Sequence, residues 1–508
     1  MNYMGIDVGT TGCKVCTFSE TGDLLYRAYR RYPYQRERIG AEELDPELVA
    51  VLVRECIAEN NAYMGEDTAS GLSISVSGDE CVILDAGMKS LGPVIMSCDV
   101  RGQEEVLQLL TRFPARYLFE KTGLPIHRKY GVFRLMWYKT HEPALYSEIR
   151  HVMTWEDFLQ YRIGLRKPAC SYSSAARLML VDIKKHSYLD EVIEAAGLCK
   201  DWLPELKNSG ETVGWLDADE AERLGFKGPV RVAAGGFDQA CTATGAGLSE
   251  SGTAVVGTGT MEALSISMKD PMLTPYFMEN KYAVNYHLYP NLYICTATNV
   301  GGSSIVNWYC DQLERPDVKT QGYDAMIGQC TDSPSGLLVL PHFAGSGPPY
   351  KDADSLGAVI GVQLGTKRVQ ILQAILEGIT YELRQNLEMI ERGCNIQIKE
   401  LWAAGGGSRS DYWLQLKADI TGRTVVRMKN QEAGCAAGAM CTMIAADPAV
   451  TWKKASEIFS QKEKRFEPSG ERYERYDPYY RIYRSLYPSL KGSFHMLRKI
   501  HKEESEYV

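Results

Sequence analysis

The chain has 508 residues, too many for one compact core, so at least two domains are expected. Hydrophobic residues make up 45% and charged residues 24%, the balance of an ordinary globular chain rather than a disordered or fibrous one. A net charge of −8 without a basic block argues against nucleic acid as the main partner, and no run of about 18 apolar residues is present to cross a membrane.

The first residues, MNYMGIDVGT, pass directly into a strand, without the basic segment and apolar core of a secretion signal. Fourteen scattered cysteines fit reduced thiols, so a cytoplasmic location is expected. Residues 3–7, 13–19 and 24–32 read as strands joined by turns at Gly9–Gly12 and Thr21–Gly22–Asp23, an antiparallel meander. Cys13 and Cys16 form a CxxC within the second strand, where residues three apart face opposite sides, which argues against a metal or redox pair. The spacing of Leu48, Val51, Leu52, Glu55 and Ile57 predicts a helix over 46–64. A strand over 70–76 then ends in the turn Ser77–Gly78–Asp79–Glu80. Another at 230–234 runs through Gly235–Gly236 to Asp238 and a small-residue stretch, Ala240 to Gly247, of helical character.

The second half restarts in the same manner, with strands expected at 253–257, 261–267, 281–287 and 292–298 and a GTGT turn at 257–260. A hairpin with a Gly-Thr turn opening both halves is a weak internal repeat, and similar halves often hold a ligand in the crevice between them. The Gly- and Ser-rich segment 245–252 marks the boundary, giving domains 1–248 and 249–508. An amphipathic helix is predicted over 366–392, ended by Gly393 as its C-terminal cap. A buried strand over 401–407 follows, then a helix over 409–421 capped by Ser408 or Ser410 and stopped at Gly422. A helix of Ala, Gly, Cys and Met over 432–446 is suited to close packing. The tail carries Tyr473, Tyr476, Tyr479, Tyr480, Tyr483 and Tyr487, a stripe that either stacks a ligand or, more simply, lays a helix on the body of the protein.

Two aspartates stand out. Asp7 ends the first strand before Gly9, Thr10, Thr11 and Gly12, with Lys14 on the return strand. Such a turn aims N–H and hydroxyl groups at phosphate oxygens, while the carboxylate can hold Mg²⁺; alone, it is also compatible with an ordinary glycine hairpin. Asp238 reads either as the N-cap of the following helix or as a general base that takes a proton from an attacking hydroxyl. Thr258, between Gly257 and Gly259, is placed to donate N–H and O–H to a phosphoryl group. Gly405, Gly406 and Gly407 end a strand ahead of a helix, which suits close approach to a nucleotide. No GxxxxGK[ST] P-loop occurs.

The ordered set GIDVGTTGCK, GGFDQ, VVGTGT and AAGGGSRSDYWLQLKADITG resembles the FGGY family of carbohydrate kinases, and PHFAGSGPPYKDADSLGAVIGVQLGT over 341–366 is similar to its C-terminal signature. The resemblance runs from residue 3 to about 490 and implies an α/β fold of two actin-like, ribonuclease-H-like domains flanking a catalytic cleft. It implies ATP and Mg²⁺ as cofactors and a small sugar or polyol as acceptor, leaving a homodimer open as an assembly. By that resemblance Asp238 is the base, Asp7, Gly9, Thr10, Thr11 and Lys14 the first phosphate motif with Asp7 on the metal, and Gly257, Thr258 and Gly259 the second. Gly405, Gly406, Gly407 and Asp411 fall at the adenosine, with Gly302, Ser303 and Asn307 also facing the nucleotide. The acceptor is expected at Asp79, Glu80, Asp99 and Arg101, with Asp238. Here the sequence departs: xylulose kinases of the family carry Met-His-Gly and glycerol kinases Arg-Glu where this chain has Asp79–Glu80, whereas Asp99 and Arg101 match the family's Asp-x-Arg. Overall likeness, as in 151–182, favours the xylulose kinase branch and so a ketopentose such as xylulose. The rival reading is an actin-like nucleotide switch with no sugar kinase activity.

Overall fold

Both halves are built on one strand plan. In the computed structural model, which describes residues 1–33, 35, 41–249, 252–312 and 326–505, the chain opens with β1 (Tyr3–Val8), β2 (Gly12–Phe18) and β3 (Leu24–Arg31) as an antiparallel meander. Helix α1 (Pro46–Met64), capped by the Asp45 side chain, crosses to β4 (Gly71–Val76), which pairs parallel with β1. After β5 (Thr212–Trp215), β6 (Arg231–Phe237) pairs parallel with β4, completing a six-stranded sheet in the order β5-β6-β4-β1-β2-β3. Helix α2 (Asp238–Gly245) follows β6 directly.

The second sheet repeats this order. Strands β7 (Thr253–Thr258), β8 (Glu262–Met268), β9 (Ala283–Tyr286) and β10 (Tyr293–Asn299) are followed by helix α3 (Ser303–Gln312) and the long helix α4 (Arg368–Cys394). Then come β11 (Glu400–Ala404), α5 (Asp411–Thr421), β12 (Thr424–Met428), α6 (Ala433–Ala446), β13 (Lys462–Phe466) and α7 (Gly470–Ser505). The sheet runs β9-β10-β8-β7-β11-β12-β13, with β7, β11 and β12 parallel as β1, β4 and β6 are. The repeat is thus topological. It makes the Asp7 turn equivalent to the Thr258 turn, and the Asp79 turn after β4 equivalent to the glycine turn after β11.

Helix α6 lies in the second half of the sequence but packs on the first sheet. A Cβ on Gly438 would stand 2.9 Å from Gly5 Cα, and one on Gly5 would stand 1.8 Å from Cys435 O, so the helix and β1 touch backbone to backbone. Phe18 meets Phe459 edge to face at 5.8 Å beside it. Cys13 and Cys16 sit on opposite faces of β2, in separate clusters, as the strand period requires.

Two sequence expectations change. Helix α4 does not stop at Gly393; it is capped by Asn395 in the left-handed region, φ 52°. Gly393 serves packing instead, because a Cβ there would lie 2.6 Å from the Phe277 ring. The strand before the glycine triplet ends at Ala404, and Ser410, not Ser408, caps α5 by accepting from Trp413 N. Residues 250 and 251 of the expected junction lie outside the described residues. The tyrosine stripe forms one face of α7, with Tyr476, Tyr480, Tyr483 and Tyr487 buried in the core with Tyr381 and Trp413. Among the described residues no helix is long and apolar enough to cross a membrane.

Candidate active site

Strand pairing fixes the first turn. Asp7 stands opposite Lys14 on β2 and Ser75 on β4, and the Ser75 hydroxyl donates to Asp7 Oδ1 at 2.8 Å. Burial raises the Asp7 carboxyl above its usual range, and Glu432 adds to that, while Lys14 and Ser75 oppose it. Lys14 is held at 3.0 Å by Glu432, the residue before α6. Within the turn Gly9 N–H donates to Gly12 O at 3.1 Å and the Tyr32 hydroxyl donates to Gly12 O at 3.0 Å. The side chains of Thr10 and Thr11 are left at the rim, with Thr11 exposed.

Asp238 is brought beside this turn. The β6–β4 register shifts between Ala233 and Gly236, a bulge that re-aims the chain as it leaves the sheet. Gly235 N–H is anchored at 2.7 Å on buried Glu156, which also accepts from Ser171 Oγ at 2.6 Å. The N-cap reading of Asp238 is corrected: Phe237 is the N-cap, and Asp238 is the first helical residue. Its Oδ1 is buried without a hydrogen-bond partner. Burial first, then the charges of Asp7 and Asp79, push its carboxyl up to about 7, the range of a general base at neutral pH.

The Asp79–Glu80 turn closes over the same site. A Cβ on Gly78 would stand 2.7 Å from Arg177 and 2.9 Å from the Phe237 ring, so the turn packs against the residue that precedes Asp238. Asp79 accepts from Lys129 Nζ at 2.6 Å and from Arg177 Nε and Nη2 at 2.9 and 2.5 Å. Burial alone would raise its carboxyl, but these two cations outweigh it and hold it at about 2. Glu80 is buried and accepts from Ser97 N at 3.1 Å; burial and the Asp79 charge raise its carboxyl. Asp99 is fully buried, both oxygens taken by Arg101 at 2.6 to 2.9 Å and one also by Glu42 N at 2.8 Å. It therefore orients Arg101, which also reaches Glu43 at 2.6 Å, rather than presenting free acceptors.

In the second half, three glycine segments meet. A Cβ on Gly407 would stand 2.4 Å from Thr258 Cγ2 and one on Gly405 2.7 Å from Thr258 O, so the glycine triplet folds onto the β7 turn. Gly406 faces open space. Ser303 N and Oγ both donate to Gly259 O, at 3.0 and 2.6 Å, and Gly302 abuts the Thr260–Met261 peptide. Gly257 lies in β7 within van der Waals reach of Thr242 on α2. Asn307 is exposed one turn further along α3. One expectation is corrected. The Thr258 hydroxyl faces inward and donates to buried Glu262 at 2.9 Å, not toward a phosphoryl group. Glu262 in turn pairs with buried Lys417 of α5. Asp411, at the start of α5, is half exposed and paired with Arg427 and, at 2.5 Å, with Lys464.

Sequence reasoning missed Ser75, Lys129, Glu156, Arg177, Glu262, Lys351, Lys417 and Glu432. Lys351 and Lys417 lie inside the quoted segments 341–366 and 403–422 but were not singled out there, and the other six lie outside every quoted motif. Only Ser75 and Glu432 carried a local signal, as neighbours of a predicted strand end and of the small-residue helix.

A model of the FGGY family of carbohydrate kinases, N-terminal domain, matches residues 2–245, and one of its C-terminal domain matches residues 252–446. The chain is 25% identical to the xylulose kinase of Bacillus subtilis over 99% of its own length and 100% of the relative's. It is 28% identical to a glycerol kinase of Thermococcus onnurineus over 92% of this chain and 93% of that one. The solved structure of a xyloylose (xylulose) kinase from Brucella ovis superposes with a TM-score of 0.86 at 26% identity, covering 97% of this chain and 100% of that chain. Comparable identity to relatives acting on different acceptors leaves the acceptor to the site itself.

Proposed function

Since the chain belongs to the FGGY family of carbohydrate kinases and has its two-domain, actin-like α/β fold around a catalytic cleft, we propose that it transfers the γ-phosphate of ATP to a hydroxyl of a sugar or polyol. Kinases of this family use ATP, normally with Mg²⁺. The likeness to xylulose kinases supports an acceptor of ketopentose size, xylulose among the candidates. Residues 1–248 carry the acceptor and the base, and residues 249–508 the nucleotide, with α6 as the element that reaches across.

The observation that carries the reading is Asp238: a carboxylate with a buried, unpartnered oxygen and a pKa near 7, beside Asp7. In the reaction the acceptor hydroxyl forms its new O–P bond while Asp238 takes its proton, and the bond from the γ-phosphorus to the bridging oxygen breaks to release ADP. The amides and hydroxyls of the Thr10–Thr11 turn and the backbone of the Gly257–Gly259 and Gly405–Gly407 turns hold the phosphates, and Lys14 adds positive charge. The charge of Asp7 raises the Asp238 pKa, and Asp7, a hard oxygen donor, would suit a hard cation. Asp7 would hold Mg²⁺, which would supply neutralisation of phosphate charge. Asp411 and Asn307 are assigned to the outer, base and ribose, part of the nucleotide site. The test is a coupled assay of ADP release over a panel of sugars and polyols. Release that requires an acceptor supports the reading; acceptor-independent ATP hydrolysis points to the nucleotide switch.

A further inference from the structure

The Asp79 turn is surrounded by cations from three separate stretches of chain. Lys129 and Arg177 both pair with Asp79, and the Arg177 guanidinium lies 4.4 Å over the ring of Phe237, next to Asp238. The third cation, Lys351, comes from the other half. Its backbone is left-handed, φ 48°, a conformation that a side chain occupies only when its surroundings impose it. Those surroundings are visible. Tyr350 stacks on Tyr487 at 3.9 Å and its hydroxyl accepts from Gln385 at 3.0 Å. Asp352 Oδ2 is held by Tyr487 and His495, each at 2.8 Å, and Lys351 N–H donates to Gly347 O at 2.7 Å. Both neighbours of Lys351 are thus pinned, and the lysine between them lies in the field of Lys129, Arg177 and Asp79.

Among the described residues no hydrogen bond or ion pair takes the Lys351 amine. The charges that face it are Lys129, Arg177, Lys281 and Asp79; burial first, then Lys129 and Arg177, push its pKa well down. His127 lies in the same field and is pushed down to about 2 by burial, Lys351 and Lys129, so it is neutral. Asp79 is the one firmly ionised acid here, since Glu80 and Asp238 are both shifted toward their protonated forms. Asp79 is one carboxylate among three basic groups, and burial together with their mutual repulsion lowers the pKa of both Lys129 and Lys351; a bound anion would favour their charged forms. A neutral sugar has only hydroxyls to offer such a site, whereas a carboxylate makes charge-assisted bonds there. One unpartnered amine matches a singly charged carboxylate better than a phosphate dianion.

We propose that the acceptor is a polyhydroxy carboxylate, an open-chain sugar acid, whose carboxylate pairs with Lys351 beside Lys129 and Arg177 while one of its hydroxyls meets Asp238. This rests on the kinase reading above and narrows its acceptor class; the transfer step is the one already given. The experiment measures ADP release with ATP and Mg²⁺ over matched acceptors of one chain length: xylonate, xylulose and xylitol, with gluconate and sorbitol one carbon longer. The expected result is kcat/KM at least about 10-fold higher for an acid than for its neutral partners, since hydrogen bonds to charged groups are worth that factor or more. Lys351→Met should raise KM for the acid by about 10- to 150-fold with KM for ATP within about twofold, and Lys351→Arg should restore most of the loss. Preference for xylulose or another neutral acceptor overturns the inference and leaves the kinase reading standing. A Lys351→Met defect confined to KM for ATP assigns the lysine to the nucleotide and also overturns it. No ADP release with any acceptor overturns both.

Discussion

Gly434 lies directly against Asp7: a Cβ at Gly434 would stand 3.0 Å from the Asp7 Cγ and Oδ1. The Asp7 turn, formed by the opening residues, is therefore backed by a helix more than 400 residues later in the chain. Gly434→Ala should press the Asp7 carboxylate out of place. An overpacking cost of about 1–3 kcal/mol is expected, together with a rise in the Mg²⁺ concentration needed for half-maximal rate. Urea denaturation and a metal titration check it; unchanged values in both would mean that Asp7 tolerates displacement.

Asp238 carries a pH prediction. Its folded pKa, about 7, is raised above the unfolded carboxylate value of about 3.9, so its stability contribution is fully present below the lower value. That contribution is lost as pH rises through about 7. Asp238→Asn, which stays neutral, should therefore raise Tm relative to wild type at pH 8 but not at pH values near 4. Catalysis follows the opposite sense: kcat/KM should climb with pH through the same range, because the base works deprotonated. Equal Tm differences at both pH values would refute the raised pKa.

The Lys417–Glu262 pair is fully buried beside the Thr258 turn, and Glu262 also fixes the Thr258 hydroxyl. Glu262→Gln leaves an uncompensated buried ammonium and should destabilise by about 3–5 kcal/mol. The double variant Glu262→Gln with Lys417→Met should recover a large part of that. A single variant within about 1 kcal/mol of wild type would show that Lys417 finds another partner or loses its proton without consequence.

Glu80→Ala should act on the acceptor and not on ATP. Leaving a sugar hydroxyl without its partner costs roughly 1–3 kcal/mol, or about 5- to 150-fold in kcat/KM for the acceptor, with KM for ATP nearly unchanged. Steady-state kinetics with each substrate varied in turn separates the cases. An equal rise in both KM values would remove this turn from the acceptor site.

The two glycine-threonine turns were legible as turns because each is local: Asp7 through Gly12 and Gly257 through Gly259 are set by residues adjacent in sequence, and the strands that flank them carry the alternation that burial imposes. The double strand plan was visible only as a weak repeat, since β4, β6, β11 and β12 become equivalent only once they pair in parallel across long crossovers. The cations were not legible. Lys129 and Arg177 reach Asp79 from 50 and 98 positions away, and a lone Lys or Arg in sequence gives no sign of what it faces. Asp238 shows the limit of capping rules. Its small-residue context allowed an N-cap, but past the bulge between Ala233 and Gly236 the helix starts one residue earlier, with Phe237 at that position.

The most direct test of the central claim is ADP release measured on wild type and Asp238→Asn with acceptor, ATP and Mg²⁺ each omitted in turn. The account predicts release that needs all three, and a kcat in the Asn variant lower by about 10²–10⁴-fold with KM for ATP little changed. Release that proceeds without any acceptor, or an Asn variant within about tenfold of wild type, would contradict it.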